Sequence, residues 1–346
     1  MALRQGAIQA SHLASFERVF RLCGVAPGDV CAVLSETASR ADLPTLAELA
    51  LSSLGAKVFH VTLPSRLPGT KVPVRSTGAS QAIDGMGPVV QALAGCTFVA
   101  DCTVEGLQHA PELPQILQGG ARVLAISHEH PEILERCEPD PQDEGVAREA
   151  MRRLKQARRM TVTSAAGTDL KIDLHGARIG GVWGYTSRPG SLSHWPGGLV
   201  LAFPAKGCVE GTLVLDRGDV NLTFKRYVAD PVTLTIQDDH VVEVSGTGYD
   251  AEMMRGYFAA WDDRSAYAVS HVGWGLNRGA RWDAMTFYDK SDFNGTELRA
   301  FAGNFLYSTG ANEVAGRHTA GHFDLPVRGC TVCLDDVPVV EVGALR

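Results

Sequence analysis

No apolar run in the 346-residue chain approaches the ~18–20 residues of a membrane span. Residues 1–30 carry Arg4, Glu17, Arg18 and Arg21 without an uninterrupted apolar core of signal-peptide length, so no targeting segment is expected. Cysteine is sparse. Eight are scattered along the chain, and the close pair Cys330 and Cys333 has no second CxxC to complete a zinc site. That spacing speaks against a disulfide framework and for ordinary reduced thiols. Lys and Arg number 32 against 39 Asp and Glu, a net charge of −7. Binding to phosphate backbones needs clustered cations, so nucleic acid is not an expected partner. A cytoplasmic protein with no membrane attachment is expected.

Common catalytic signatures are also missing. No GxGxxG follows the first apolar strand, where a dinucleotide site would need close backbone approach. There is no GxxxxGK[ST], no HExxH and no GxSxG, which removes the P-loop, the zincin helix and the serine-hydrolase elbow.

What is present has a rhythm. Leu13, Phe16, Phe20 and Cys23 form a helical stripe, and Gly24 is placed to stop it. Val30–Leu34 reads as a strand, Leu43–Leu54 as a helix, Val58–Leu63 as a strand and Pro88–Ala94 as a helix. Phe98–Asp101 and Val123–Ile126 are two further strands. Strands alternating with helices predict a parallel sheet. Near Met160 the pattern changes to alternation. MTVTSAAGTDLKIDL and VTLTIQDDHVVEVSG read as hairpins, and residues 250–262 as a helix. The expected fold class is α/β: a parallel-sheet domain over residues 1–157, then an α+β domain over 158–346, with the boundary in the basic helix Ala147–Arg159.

Histidine carries the chemistry. In a strand, His322 and Asp324 point to one face, close enough to share a metal or simply to hydrogen-bond to each other. With a further imidazole, such a pair completes two histidines and a carboxylate, a set suited to non-haem Fe(II). His271 lies between the apolar strand Ala266–Ser270 and a turn at Gly273-Trp274-Gly275. It reads equally as a buried core histidine or as part of a wall for a flat ligand. His194 lies on a loop beside Trp195, Pro196 and two glycines. Ser308 reads as a cap or turn residue. His109 follows the strand ending at Asp101, where open α/β sheets place ligands. His128-x-His130 offers a metal pair or a solvated loop.

Taken in order, SHWPGG (193–198), VEGTLVLDRGDV (209–220), SHVGWGL (270–276), AFAGNFLYSTG (300–310) and HFDLPVRGCTVCLDD (322–336) resemble the 2,5-dihydroxypyridine 5,6-dioxygenases of bacterial nicotinate and hydroxypyridine catabolism. LKQARRMTV (154–162) and the surroundings of His109 match more loosely. The resemblance implies an aminopeptidase-like fold for the metal-binding second domain. The related peptidases hold two metals largely with glutamates. Here Leu199, in PGGLVLAFP, and His271 stand where those peptidases carry glutamate. Fewer anionic ligands cannot balance two divalent ions, which favours a single Fe(II).

The resemblance then implies an enzyme that opens 2,5-dihydroxypyridine between C5 and C6 with O₂, giving N-formylmaleamate. Its iron ligands would be His271, His322 and Asp324, with Ser308 as substitute for His322. His109 would be the base that deprotonates a ring hydroxyl. His194 would hold the substrate oxygen or stabilise developing negative charge, and Trp195 and Trp274 would wall the ring. A homo-oligomer is expected. The alternative is a metallo-aminopeptidase that keeps hydrolytic chemistry.

Overall fold

A computed structural model describes residues 8–66 and 79–346. In the first half, strands β1 (Val30–Glu36), β2 (Lys57–Leu63), β3 (Phe98–Asp101) and β4 (Arg122–Ile126) alternate with helices α1 (Ala10–Leu22), α2 (Asp42–Ser53), α3 (Gly87–Ala94), α4 (Leu113–Gln118), α5 (Pro131–Arg136) and α6 (Asp143–Gln156). The strands pair in parallel in the order β2-β1-β3-β4. Cys31 and Val33 face one core with Phe16, Phe20 and Leu46, whereas Ala32 and Leu34 face another with Ile83, Leu93 and Ile116. Burial on both faces explains why β1, β3 and β4 are continuous apolar runs, whereas the edge strand β2 is only partly covered. Gly24 ends α1 at a φ of +72°, and a Cβ there would lie 2.6 Å from the Arg122 guanidinium.

The second half contains β5 (Arg159–Ser164), β6 (Asp169–Asp173), β7 (Arg178–Val182), β8 (Leu192–Trp195), β9 (Leu199–Phe203), β10 (Val209–Leu215), the short pair β11 (Val220–Asn221) and β12 (Arg226–Tyr227), β13 (Val232–Gln237), β14 (His240–Ser245), α7 (Tyr249–Trp261), β15 (Val269–Gly275), α8 (Thr296–Ala300), β16 (Phe305–Asn312), β17 (Arg317–Val327), β18 (Cys330–Leu334), β19 (Val337–Glu341) and β20 (Ala344–Leu345). Both expected hairpins form, as β5–β6 and β13–β14. They belong to an eight-stranded sheet, β14-β13-β10-β6-β5-β18-β19-β20. A five-stranded sheet, β17-β16-β15-β9-β7, shares a core with it. Leu170, Ile172, Leu213 and Ile236 from one sheet meet Val272, Phe305, Tyr307 and Phe323 from the other.

Three local readings change. The basic helix runs from Asp143 to Gln156 rather than from Ala147 to Arg159. The segment Arg264–Tyr267 is a 3₁₀ turn, and the strand at His271 extends through Gly273, Trp274 and Gly275. Those glycines allow close strand packing: a Cβ on Gly273 would fall 1.9 Å from the Val200 carbonyl oxygen, and one on Gly275 2.1 Å from that of Phe301. The supposed loop at His194 contains β8, which pairs in parallel with β4 as the fifth strand of the first sheet. Its polar sequence gives little strand signal, and the edge of β4 supplies the pairing. The chain thus returns from beyond residue 158 to a sheet begun before residue 157.

Candidate metal centre

Side chains alternate across the five-stranded sheet. Val272, Trp274, Phe305, Tyr307, Phe323 and Leu325 enter the sandwich core. On the other face, Arg178 opposes Phe203, His271 opposes Ser308, and Ser308 opposes Asp324. The Phe203 and His271 rings lie 5.3 Å apart, which joins the two pairings into one row. The neighbouring row, Gly180, Leu201, Gly273, Leu306 and Pro326, has no polar side chain. His322 lies two residues before Asp324 on β17 and shares its face, as the HxD spacing predicts.

The ligand atoms of His271, His322 and Asp324 lie within 4.8 Å of one another. Asp324 Oδ1 is 3.2 Å from His322 Nε2 and 3.7 Å from His271 Nε2, and it accepts the Ser308 hydroxyl. Asp324 Oδ2 accepts from Arg299 Nε at 2.5 Å. Burial alone would raise the Asp324 pKa, but His322 and Arg299 outweigh it and hold the carboxyl well below its usual range. Burial pushes His271 down to about 3, with Asp324 opposing and His322 reinforcing the shift.

The tautomer of His271 follows from its neighbour. Ser270 Oγ donates its proton to the Ala311 carbonyl at 2.6 Å. The 3.1 Å contact between Ser270 Oγ and His271 Nδ1 therefore has the ring as donor. That leaves the Nε2 lone pair facing Asp324. A neutral imidazole oriented through its other nitrogen, beside an ionised carboxylate, is the donor chemistry of a divalent metal site.

Two histidines from the first sheet overlook this row. The His109 ring, in the loop after β3, is 5.2 Å from the His322 ring. It is open to the cleft but crowded by protein, and its pKa is lowered by desolvation first, then by His322 and Arg178. The loop is shaped by two buried carboxylates: Asp101 accepts from the Thr103 N–H at 3.0 Å, and Glu36 from the Val104 N–H at 2.8 Å. His194 Nδ1–H donates to the Pro196 carbonyl at 2.7 Å, so its Nε2 is an acceptor. Burial lowers its pKa to about 4. A neutral ring in that tautomer suits acceptance from a hydroxyl and does not suit stabilisation of negative charge.

The two tryptophans are not brought to the site. Trp195 follows His194 on β8 and points the opposite way, against Phe16, with its indole N–H on the Cys137 carbonyl. Trp274 lies three residues from His271 and so faces the sandwich core. Phe203 is the aromatic beside His271, and the Arg178 guanidinium lies over its ring at 4.4 Å from the centroid. Phe203 and Arg299 were not singled out in the sequence. One looks like any apolar strand residue, and the other sits in a five-residue helix without periodicity. His128 and His130 are both buried, not a solvated loop, and among the described residues neither joins a group of metal-ligating side chains. His130 caps α5 by accepting from the Glu132 N–H.

Leu199, which the resemblance sets where the peptidases would carry glutamate, packs with Ala300 and Leu306. Among the described residues, one group of three ligating side chains is present, with one carboxylate. Fold and site together define a candidate metal centre of two histidines and one carboxylate on a sheet facing the strand ends of an α/β half. Residues 11–346 match the family model described as NicX, 2,5-dihydroxypyridine 5,6-dioxygenase, and the chain belongs to that family of enzymes. The chain is 38% identical, over 95% of its length and 94% of the relative's, to the 2,5-dihydroxypyridine 5,6-dioxygenase of Pseudomonas putida KT2440. The solved structure of 2,5-dihydroxypyridine dioxygenase from Pseudomonas putida KT2440 superposes with a TM-score of 0.91 at 36% identity, covering 98% of both chains. AmpT from Thermus thermophilus superposes with a TM-score of 0.60 at 13% identity, covering 98% of this chain and all (100%) of that one. That likeness shows the fold alone, and it bears out the aminopeptidase-like expectation.

Proposed function

We propose that this enzyme cleaves 2,5-dihydroxypyridine between C5 and C6 using Fe(II) and O₂, with both oxygen atoms retained in N-formylmaleamate. The observation that carries the reading is Asp324 Oδ1, on which His271, His322 and Ser308 converge next to an apolar row. His271, His322 and Asp324 would hold the metal, with Ser308 the substitute for His322. Iron there supplies the redox chemistry that lets O₂ react with the ring.

The protein's own residues do the rest. Leu201, Leu306 and the Gly273 backbone form a floor for the flat ring and keep water from it. Phe203 bounds the ring in place of the two tryptophans. His109, neutral at pH 7, takes the proton of the 5-hydroxyl. His194 Nε2 accepts the hydrogen bond of a second ring group and fixes its orientation. The C5–C6 bond breaks, one oxygen atom goes to each carbon, and C5 leaves as a carboxylate with net release of one proton.

The unpaired, mostly buried cysteines and the class of substrate support a cytoplasmic enzyme, and we infer a homo-oligomer. Among the described residues, no helix is long and apolar enough to cross a membrane. The test is anaerobic loading followed by metal analysis and O₂ uptake. One iron per chain and one O₂ per 2,5-dihydroxypyridine are expected. Two tightly bound metals with hydrolysis of leucyl amides would establish the aminopeptidase alternative.

A further inference from the structure

The segment His128-Glu129-His130 follows β4 and takes no part in the metal centre, yet its middle residue is fully buried. The Glu129 carboxylate accepts three successive backbone N–H groups: Asn294 at 2.9 Å, Gly295 at 2.8 Å and Thr296 at 2.7 Å. Further contacts fix the same turn to the first sheet. Ser127 Oγ lies 2.6 Å from Thr296 Oγ1 and accepts from Asn294 Nδ2 at 3.1 Å. The His130 N–H donates to the Asp292 carbonyl at 2.8 Å. Beyond the turn runs α8, and its Arg299 donates through Nε to Asp324 Oδ2. Arg299 Nη1 reaches back to the Asn294 carbonyl at 3.3 Å and Thr296 Oγ1 at 3.4 Å. The guanidinium is thus braced by the turn that Glu129 holds.

We propose that Glu129 is a positioning residue for the metal-binding carboxylate: from the end of β4 it fixes the 294–296 turn, the turn fixes Arg299, and Arg299 holds Asp324 with Oδ1 toward His271 and His322. The geometry suits this task. Three bonds from adjacent amides to one fully buried carboxyl group define the turn's place more tightly than a single contact would. Arg299 holds one carboxylate oxygen and leaves the other for the metal. Groups that orient a ligating carboxylate in this way typically contribute ~10–100-fold to metal affinity. The device also ties the two halves together at the cleft where His109 faces His322.

The inference rests on the metal reading above, and the test separates the two. Fe(II) alone is titrated anaerobically against a chelator into the whole protein, the Glu129→Gln and Arg299→Met variants, and the double variant. Glu129→Gln is expected to weaken Fe(II) binding by ~10-fold or more in the parent and by less than about threefold in the Arg299→Met background, because the path through Arg299 is already cut. Thermal unfolding of the metal-free proteins should shift equally in both backgrounds, as a merely structural loss would. Equal weakening of Fe(II) binding in both backgrounds, or an effect under about twofold in the parent, overturns the inference while the metal reading stands. A parent protein that takes up no Fe(II) overturns both. If Glu129→Gln does not accumulate folded, Glu129→Asp keeps the charge but withdraws it by one methylene and takes its place in the cycle, read the same way.

Discussion

Arg299 Nε occupies one oxygen of Asp324 at 2.5 Å, so a single carboxylate oxygen, Oδ1, turns toward the imidazoles. Asp324 would therefore offer a bound metal one oxygen, Oδ1. It is also the only carboxylate in the ligating group among the described residues.

Asp324→Ala and His271→Ala are accordingly expected to purify without iron. With His322 on the metal, His322→Ala loses iron too, whereas Ser308→Ala retains it within about tenfold in affinity. Anaerobic metal analysis decides. Iron kept by His322→Ala and lost by Ser308→Ala would put the hydroxyl in the ligand set and His322 outside it.

His109 lies in the loop after β3 of the other sheet, and its ring meets His322 rather than the point where the ligand atoms converge. His109→Ala should bind iron like the parent while turnover falls by ~10²–10⁴. Loss of iron in this variant would count against its role as a base.

The aromatic residues separate by face. Trp274→Leu should lower the melting temperature and leave KM for the substrate within about twofold, because the indole fills the sandwich core. Phe203→Leu should raise KM about tenfold with little change in stability. Steady-state kinetics beside thermal unfolding would expose the opposite assignment.

Acid should destabilise the fold partly through His128. Burial lowers its pKa to about 4, assisted by Lys225 and Arg40, against an ordinary 6.5. Between these values the unfolded chain binds a proton that the folded chain refuses, so stability is intact above pH ~6.5 and declines as pH falls toward 4. Urea unfolding should show the decline, and His128→Gln should reduce its slope by up to ~1.4 kcal/mol per pH unit. An unchanged slope would mean that His128 titrates normally in the fold.

The sequence made the parallel sheet legible because its inner strands are buried on both faces and its helices end at glycines, as at Gly24 and Gly55. The HxD pair was legible because period two is a local rule. The full row was not. Arg178 and Phe203 join the ligands only through the register of β7, β9 and β15, which depends on pairings distant in the chain. The tryptophans misled because an odd offset from a histidine in a strand, one residue for Trp195 and three for Trp274, places the side chain on the opposite face. Arg299 and Glu129 were invisible because each works through a turn that only the folded chain brings to the end of β4.

The return of β8 to the first sheet bears on how such a protein can be divided. A polypeptide ending at residue 157 would lack the strand that pairs with β4 and would present a bare edge of amides and carbonyls to its neighbours. A polypeptide starting at residue 158 would carry that strand with nothing to pair against. The two parts are therefore not exchangeable modules. Recombination at that point would separate His194 from the sheet that aims it, so the cleft and both of its walls are inherited as one unit.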